Sequence, residues 1–388
     1  MLIYVIAGEP SGDLLGGRLM AALRQETGDT VRFAGIGGEN MQAQGLRSLF
    51  PMTELTVMGL TEVLPRIPRI LRRVRETLDD IGRLKPDAVV TIDSWGFTGR
   101  VQKGCQKLYP DLPRIHYVAP MVWAWKPKRA AKLAKVLDLL MTLLPFEPPY
   151  FEKEGLRTVH VGHPVVESGA GQGDGAAFRG RHNLGADVKL LAVLPGSRHS
   201  ETSKLLPVFG QVLHRLDNMG VKAKVVVPTL PHLVDEVRDA AKSWPFDPLV
   251  IEDSAQKYDC FAASTCALAA SGTVALELAM AGLPTVIAYR LSALTAFMAR
   301  KLFGFKIKWA TLVNMVLDRP VMPEFLQEDC RADQIAPVLA RMLDDESERD
   351  WRRLDMAAGM AQLGQGGESP GRRAAQVVLN FIAQRKQP

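Results

Sequence analysis

From its second residue the chain alternates short, almost unbroken apolar runs with segments whose apolar residues recur at helical spacing. "LIYVIA" (Leu2 to Ala7) breaks into a glycine-containing turn. "SGDLLGGRLMAALRQE" follows, with Leu14, Leu15, Leu19, Ala22 and Leu23 on one stripe. "VRFAGIGG" is a second run. "PDAVVTID" (Pro86 to Asp93) is a third, and it is apolar nearly throughout, as a strand buried on both faces must be. "RIHYVAP" and "LDLLMTLLPFE" continue the series, with the helical "KPKRAAKLAKV" between them. Alternation of this kind predicts a parallel, doubly wound α/β sheet.

The stretch Glu167 to Val188 is rich in Gly and Ala and poor in large apolar residues. A linker is expected at 169–187, between an N-terminal domain, 1–168, and a C-terminal one, 188–369. Beyond it the rhythm restarts with "KLLAVLPGSR", "VKAKVVVP", "CALAASGT" and "LPTVIAY". At 388 residues, two domains are the natural division. Two such halves with a hinge would face a central cleft, and the terminal helix 370–388 can pack on either half.

Composition narrows the class. Hydrophobic residues at 47% and charged residues at 23% are those of a soluble globular protein. Cys105, Cys260, Cys266 and Cys330 have no CxxC or CxxH spacing, so thiols in a reducing cytosol are expected rather than a zinc site or disulfides. No HExxH or comparable histidine spacing occurs, and no metal is expected. No apolar run approaches the ~18 residues of a transmembrane helix. The first residues lack the basic n-region of a signal peptide, which predicts a cytoplasmic protein free to touch a membrane from that side. GxGxxG and GxxxxGK[ST] are absent, which disfavours a nicotinamide enzyme or a P-loop ATPase, and no cofactor is expected.

In doubly wound sheets ligands bind beyond the carboxyl ends of the strands, so the strand-end loops matter most. In "VLPGSRHSE", Pro195 and Gly196 make a turn, the N–H groups of Ser197 and Arg198 can face an anion, and Arg198 can grip it bidentately. In "AASGTVALELAMAGLP", Ser271, Gly272 and Thr273 open a helix with no acid in its first turn, a seat for a diphosphate. Glu277 lies one turn on, where it can accept from ribose hydroxyls. The same residues would also serve as an ordinary helix cap with a surface acid.

"TIDSWGF" puts Asp93 at the end of a buried strand, as a general base or as an Asx turn. In "GEPSGDLLGG", Glu9 and Asp13 would repel a diphosphate, so with Ser11 this loop suits the hydroxyls of an acceptor; Asp13 equally complements its own helix dipole. His163, in "VGHPVVE", can support the site or simply pack.

Between Val57 and Leu78, Val63, Leu64, Ile67, Ile70 and Leu71 alternate with Arg66, Arg69, Arg72, Arg73 and Arg75, and Pro65 and Pro68 interrupt. Such a patch suits an anionic membrane surface, or a solvated basic helix over a core. "FMARKLFGFKIKW" (Phe297 to Trp309) has the same character. No nucleic-acid recognition fold accompanies the charge, and no nucleic-acid partner is expected.

"AGEPSGD", "VMGLTEVL", "HYVAPMVWAWKPKR", "LPFE", "LPGSR", "ASGTVALE" and "LVNMVLDRPVMPEFLQE" together resemble lipid-A-disaccharide synthases, in order from about Ile3 to Cys330. The resemblance implies a GT-B architecture of two Rossmann-like domains, with the sugar nucleotide in the C-terminal one. It implies transfer of 2,3-diacylglucosamine from UDP-2,3-diacylglucosamine to the 6-hydroxyl of 2,3-diacylglucosamine 1-phosphate, with inversion and without metal. The setting would be the cytoplasmic face of the inner membrane, reached peripherally, and a homo-oligomer is possible. By motif, Arg198, Ser271, Gly272, Thr273, Glu277 and Asn314 would bind UDP, and Asp93 would be the base. Many relatives carry a second acid three residues after that Asp; here the position is Gly96. Asp93 would then act alone or with Glu9, Asp13 or His163. Another UDP-sugar transferase or epimerase, or a non-catalytic solute-binding protein, are the competing readings.

Overall fold

The computed structural model describes residues 1–55, 60–123, 128–291 and 308–386, the side chains of 60–66 excepted. They form two compact units, Met1–Pro164 with Gly366–Pro388, and Val165–Gln365.

The first unit holds β1 (Leu2–Ala7), β2 (Arg32–Ile36), β3 (Ala88–Ile92), β4 (Arg114–Tyr117), β5 (Leu139–Thr142) and β6 (Thr158–His160). All are parallel, in the order β2-β1-β3-β4-β5-β6. Its helices include α1 (Pro10–Glu26), α2 (Glu39–Ala43), α3 (Leu60–Leu84), α4 (Trp95–Leu108), α5 (Arg129–Ala134) and α6 (Pro148–Glu152). Every residue of β3 is buried, so helices cover both faces, and each fully buried Val or Ile contributes about 1.5–3 kcal/mol.

The second unit repeats the plan. β7 (Leu190–Leu194), β8 (Lys224–Pro228), β9 (Leu249–Ile251), β10 (Cys266–Ala270), β11 (Thr285–Tyr289) and β12 (Glu324–Leu326) run parallel in the order β12-β11-β10-β7-β8-β9. Around them lie α7 (Gly175–Arg181), α8 (His199–Asn218), α9 (Val234–Ala241), α10 (Lys257–Ala263), α11 (Thr273–Met280), α12 (Leu312–Leu317), α13 (Ala332–Asp344) and α14 (Glu346–Gln362). The chain then returns to the first unit. There α15 (Pro370–Lys386) buries Ala374, Ala375, Val378, Phe381 and Ile382 in the core that contains β1 and α1.

Strand order fixes where ligands can sit. In the first sheet the direction of winding reverses between β1 and β3, where Ala7 pairs with Ile92. In the second it reverses between β7 and β10, where Leu194 pairs with Ala269. The loops leaving β1 and β3 run against each other. A Cβ on Gly8 would stand 2.8 Å from Ser94 Cβ, so no larger residue fits there.

Two expectations change. The stretch 169–187 is not a linker: α7 packs within the second unit, Phe178 is fully buried, and the Asp174 carboxylate caps α7 by accepting from Ala177 N at 2.8 Å. Its glycines serve close packing, since a Cβ on Gly173 would lie 2.0 Å from Tyr258 O. Nor do Pro65 and Pro68 interrupt α3, which is one helix. Val74, Thr77 and Ile81 recur along its buried face and hold it to the core, while Pro68 lies on its exposed side. Pro207 and Pro337 sit inside α8 and α13 in the same way.

Candidate active site

A cavity of about 670 Å³ opens at the β1/β3 switch point, and Glu9, Asp93, Ser94, Arg100 and Arg129 are its polar lining. Asp93 and Ser94 follow β3 with left-handed φ of 50° and 44°, and Val118, after β4, has φ 78°. Left-handed backbone costs of order 1–3 kcal/mol at a residue other than glycine, and such strain clusters where side chains must be aimed. Here three strained residues line one cavity. Asp93 is fixed by its own backbone: its N–H donates to Tyr117 O at 2.9 Å, and its carbonyl accepts from Thr98 Oγ1 at 2.7 Å. Burial raises its carboxyl above the ordinary carboxylate range; the Ser94 N–H, donating at 2.7 Å, opposes this, and the Glu9 charge adds to it. The Ser94 hydroxyl is buried with no partner among the described residues.

Behind Trp95, which lines the cavity, lies a buried neutral network. His116 Nδ1 lies 2.8 Å from Thr91 Oγ1, Gln102 Nε2 donates to that same oxygen at 2.8 Å, and Trp95 packs edge-on against the imidazole at 4.8 Å. Burial pushes His116 down to about 3. The opposite wall is apolar, with Ile67, Ile70, Leu71 and Met121.

Not every expected partner joins Asp93. Glu9 does; Ser11 is exposed on α1 and absent from the lining. Asp13 is spent elsewhere. Only 2% exposed, it accepts from Gly38 N at 2.7 Å, from Asn40 N and Nδ2 at 2.9 Å each, and from Met41 N at 3.1 Å. Its carboxylate thus caps α2, leaving nothing for a sugar hydroxyl. His163 also lies outside the lining, and burial, with His160 nearby, pushes it down to about 4.

A second cavity, of about 540 Å³, opens at the β7/β10 switch point and gathers Arg198, Ser271, Gly272, Thr273 and Glu277. Gly272 has φ 154° and ψ −162°, a backbone region open to glycine almost alone, and it turns β10 into α11. Arg198 precedes α8 with its side chain 74% exposed. The Ser197 N–H, expected to face an anion, donates instead to Glu201 Oε2 at 2.9 Å, and Arg198 reaches Glu201 Oε1 at 3.3 Å. A carboxylate of the chain therefore stands where an anion was expected. Glu277 accepts from Lys257 Nζ at 2.6 Å and from Tyr258 OH at 3.0 Å.

Asn314 does not line this cavity. It is fully buried, its amide donating to Met322 O at 2.7 Å and Glu324 Oε1 at 2.8 Å while its carbonyl accepts from Met322 N at 2.9 Å. With every polar atom engaged, it braces β12. Sequence reasoning missed Lys257, Glu201, Ser94 and Thr229, whose buried hydroxyl has no partner among the described residues. Ser94 and Glu201 stand inside the motifs already singled out, beside the residues chosen; nothing local marks Lys257 or Thr229.

On α3, Arg69, Arg72 and Arg75 are exposed, and Ile67 and Leu71 are 36% and 52% exposed. Arg73 departs from the expected outward patch. It is clamped between Glu54, at 2.6 and 3.0 Å, and Glu76, at 2.6 Å, and lies 4.4 Å over the Phe50 ring. The side chain of Arg66 and most of the stretch 297–309 lie outside the described residues. Among the described residues no helix is long and apolar enough to cross a membrane. All four cysteines are buried and free.

Paired doubly wound units, each with a ligand-sized cavity at its switch point, are the architecture of the GT-B fold class. Solved structures share this fold: UDP-GlcNAc 2-epimerase from Neisseria meningitidis superposes with a TM-score of 0.61 at 10% identity, covering 99% of this chain and 100% of its own. Acinetobacter baumannii MurG gives 0.58 at 13% identity, covering 99% of each chain. The chain belongs to the lipid-A-disaccharide synthase family, whose model, Lipid-A-disaccharide synthetase, matches residues 3–378. The synthase of Paramagnetospirillum magneticum is 59% identical over 387 residues, 100% of this chain and 99% of that one. That of Rhodospirillum centenum is 52% identical, covering 99% and 96%. The protein is thus a glycosyltransferase that moves 2,3-diacylglucosamine from UDP-2,3-diacylglucosamine to the 6-hydroxyl of 2,3-diacylglucosamine 1-phosphate, forming the lipid A disaccharide and UDP.

Proposed function

We propose that the first unit is the acceptor-side domain, with Asp93 as general base, and that the second holds the UDP of the donor. The observation that carries this is Asp93 itself: a carboxylate at a sheet switch point, on strained backbone, raised by burial and lining a cavity with an apolar wall. As the acceptor O6 bonds to the anomeric carbon of the donor, its proton passes to Asp93. The bond from that carbon to the diphosphate oxygen breaks, and the electron pair leaves with UDP, inverting the centre. Arg198 and the acid-free start of α11 at Ser271, Gly272 and Thr273 take up the charge of the departing diphosphate. Glu277, held by Lys257 and Tyr258, accepts from the ribose hydroxyls.

With Gly96 in place of a second acid, and with Asp13 engaged and His163 outside the lining, Glu9 is the carboxylate left beside Asp93. It acts by raising the basicity of Asp93 and by accepting from sugar hydroxyls. No metal enters this scheme. The apolar wall of Ile67, Ile70 and Leu71 suits the acyl chains of the acceptor, and Arg69, Arg72 and Arg75 suit anionic headgroups. The enzyme then works peripherally at the cytoplasmic face of the inner membrane.

The nucleotide seat is tested by Arg198→Ala, which should weaken UDP binding by roughly 10-fold or more, as loss of a charge-assisted contact does. Unchanged affinity in a calorimetric titration would move the nucleotide elsewhere.

A further inference from the structure

The buried and half-buried arginines of the first unit nearly all have partners among the described residues. Arg18 donates to Pro164 O, Arg24 pairs with Asp29, Arg73 with Glu54 and Glu76, Arg114 with Asp138, and Arg373 donates to His160 O. Arg129 is the exception. It is half-buried at the start of α5, lines the Asp93 cavity, and makes no ion pair or hydrogen bond with any described residue. A partly desolvated guanidinium without an anion is costly, and its planar fork of N–H donors matches a phosphate bidentately.

Its place in the cavity is also informative. Glu9 and Asp93 follow β1 and β3, whereas Val118, Ala119 and Pro120, which share the lining with Arg129, follow β4. Carboxylates and guanidinium therefore enter from different strand ends. An acceptor sugar that carries a 6-hydroxyl and a 1-phosphate, held apart by a rigid ring, has the same polarity. His116, packed behind Trp95, stays neutral and offers the phosphate no competing charge. Arg100, the other cation of the lining, is exposed and donates to the Gly96 carbonyl.

We propose that Arg129 seats the 1-phosphate of the acceptor, so that the cavity reads its substrate from two ends, the hydroxyl at Asp93 and the phosphate at Arg129. The inference rests on the reading that the first cavity takes the acceptor.

The test compares kcat/KM for 2,3-diacylglucosamine 1-phosphate and for 2,3-diacylglucosamine lacking the phosphate, at saturating donor. The wild type should prefer the phosphorylated acceptor by roughly 10–100-fold, the worth of a charge-assisted bidentate contact. Arg129→Ala should lose that preference through a fall in kcat/KM for the phosphorylated acceptor, with UDP affinity changed by no more than about twofold; Arg129→Lys should keep an intermediate preference. A wild type without preference, or a ratio unchanged in Arg129→Ala, overturns the assignment. Should Arg129→Ala fail to fold, an unchanged ratio in Arg129→Lys does the same. Loss of binding to phosphatidylglycerol vesicles with the acceptor ratio intact would assign Arg129 to lipid phosphate and overturn it too. Asp93→Asn, assayed alongside, should depress both acceptors equally. Full activity there with a collapsed ratio in Arg129→Ala would remove the base and leave the phosphate seat standing.

Discussion

Glu147, in the turn after β5, is 3% exposed, and its carboxylate accepts from Trp123 Nε1 at 3.2 Å and Leu144 N at 3.1 Å. Burial outweighs these contacts and pushes it from the ordinary 4.5 up to about 7. A carboxyl raised in the folded state favours folding when protonated. Its contribution is full below about pH 4.5 and is lost as pH rises to about 7, a change of about 3 kcal/mol. Chemical denaturation at pH 5 and pH 8 should therefore show Glu147→Gln losing less stability across that interval than the wild type; parallel losses would contradict the assignment. At this scale, legibility tracks locality. Asp93, Arg198 and Gly272, picked out because a strand-end loop carries its own chemistry, do line the cavities. Asp13 and Asn314 do not, since their roles are set by partners distant in the chain, at Gly38 to Met41 and at Met322 with Glu324.

At the scale of elements, apolar runs such as "AVVTI" and "LLAVL" announce central strands, because burial on both faces leaves no room for polar residues. The edge strands β6, β9 and β12 have three residues each and half-exposed positions, too short for any period to show. The stretch 169–187 misleads for a different reason: glycine there permits close approach to α10, and the sequence alone cannot tell packing from flexibility. Helix α3 is likewise continuous through its prolines because its later turns grip the core. Its exposed Arg69, Arg72 and Arg75 make the membrane reading measurable. Association with vesicles containing anionic lipid should fall as salt rises from about 0.05 to 0.5 M, and the triple Ala variant should bind more weakly, at about 1 kcal/mol per charge. Binding that ignores both salt and the substitutions would leave α3 as a solvated basic helix.

At the scale of the whole molecule, the same doubly wound plan occurs twice, and each time the cavity falls where the strand order reverses. Both linings mix charges: Glu9 and Asp93 with Arg100, Arg129 and an apolar wall in the first, Arg198 and a helix start with Glu201 and Glu277 in the second. A transfer reaction needs a base for one substrate and an anion seat for the leaving group of the other, the roles proposed for Asp93 and Arg198. The division into two halves is legible because the apolar rhythm restarts near Lys189; the strand order, and hence the switch points, is not, because pairing is decided by tertiary packing. The most direct test of the account is disaccharide turnover by Asp93→Asn, measured beside its affinity for UDP. Turnover should fall about 10²–10⁴-fold while UDP affinity stays within about twofold of the wild type. Near-normal turnover, or nucleotide affinity lost together with activity, would contradict it.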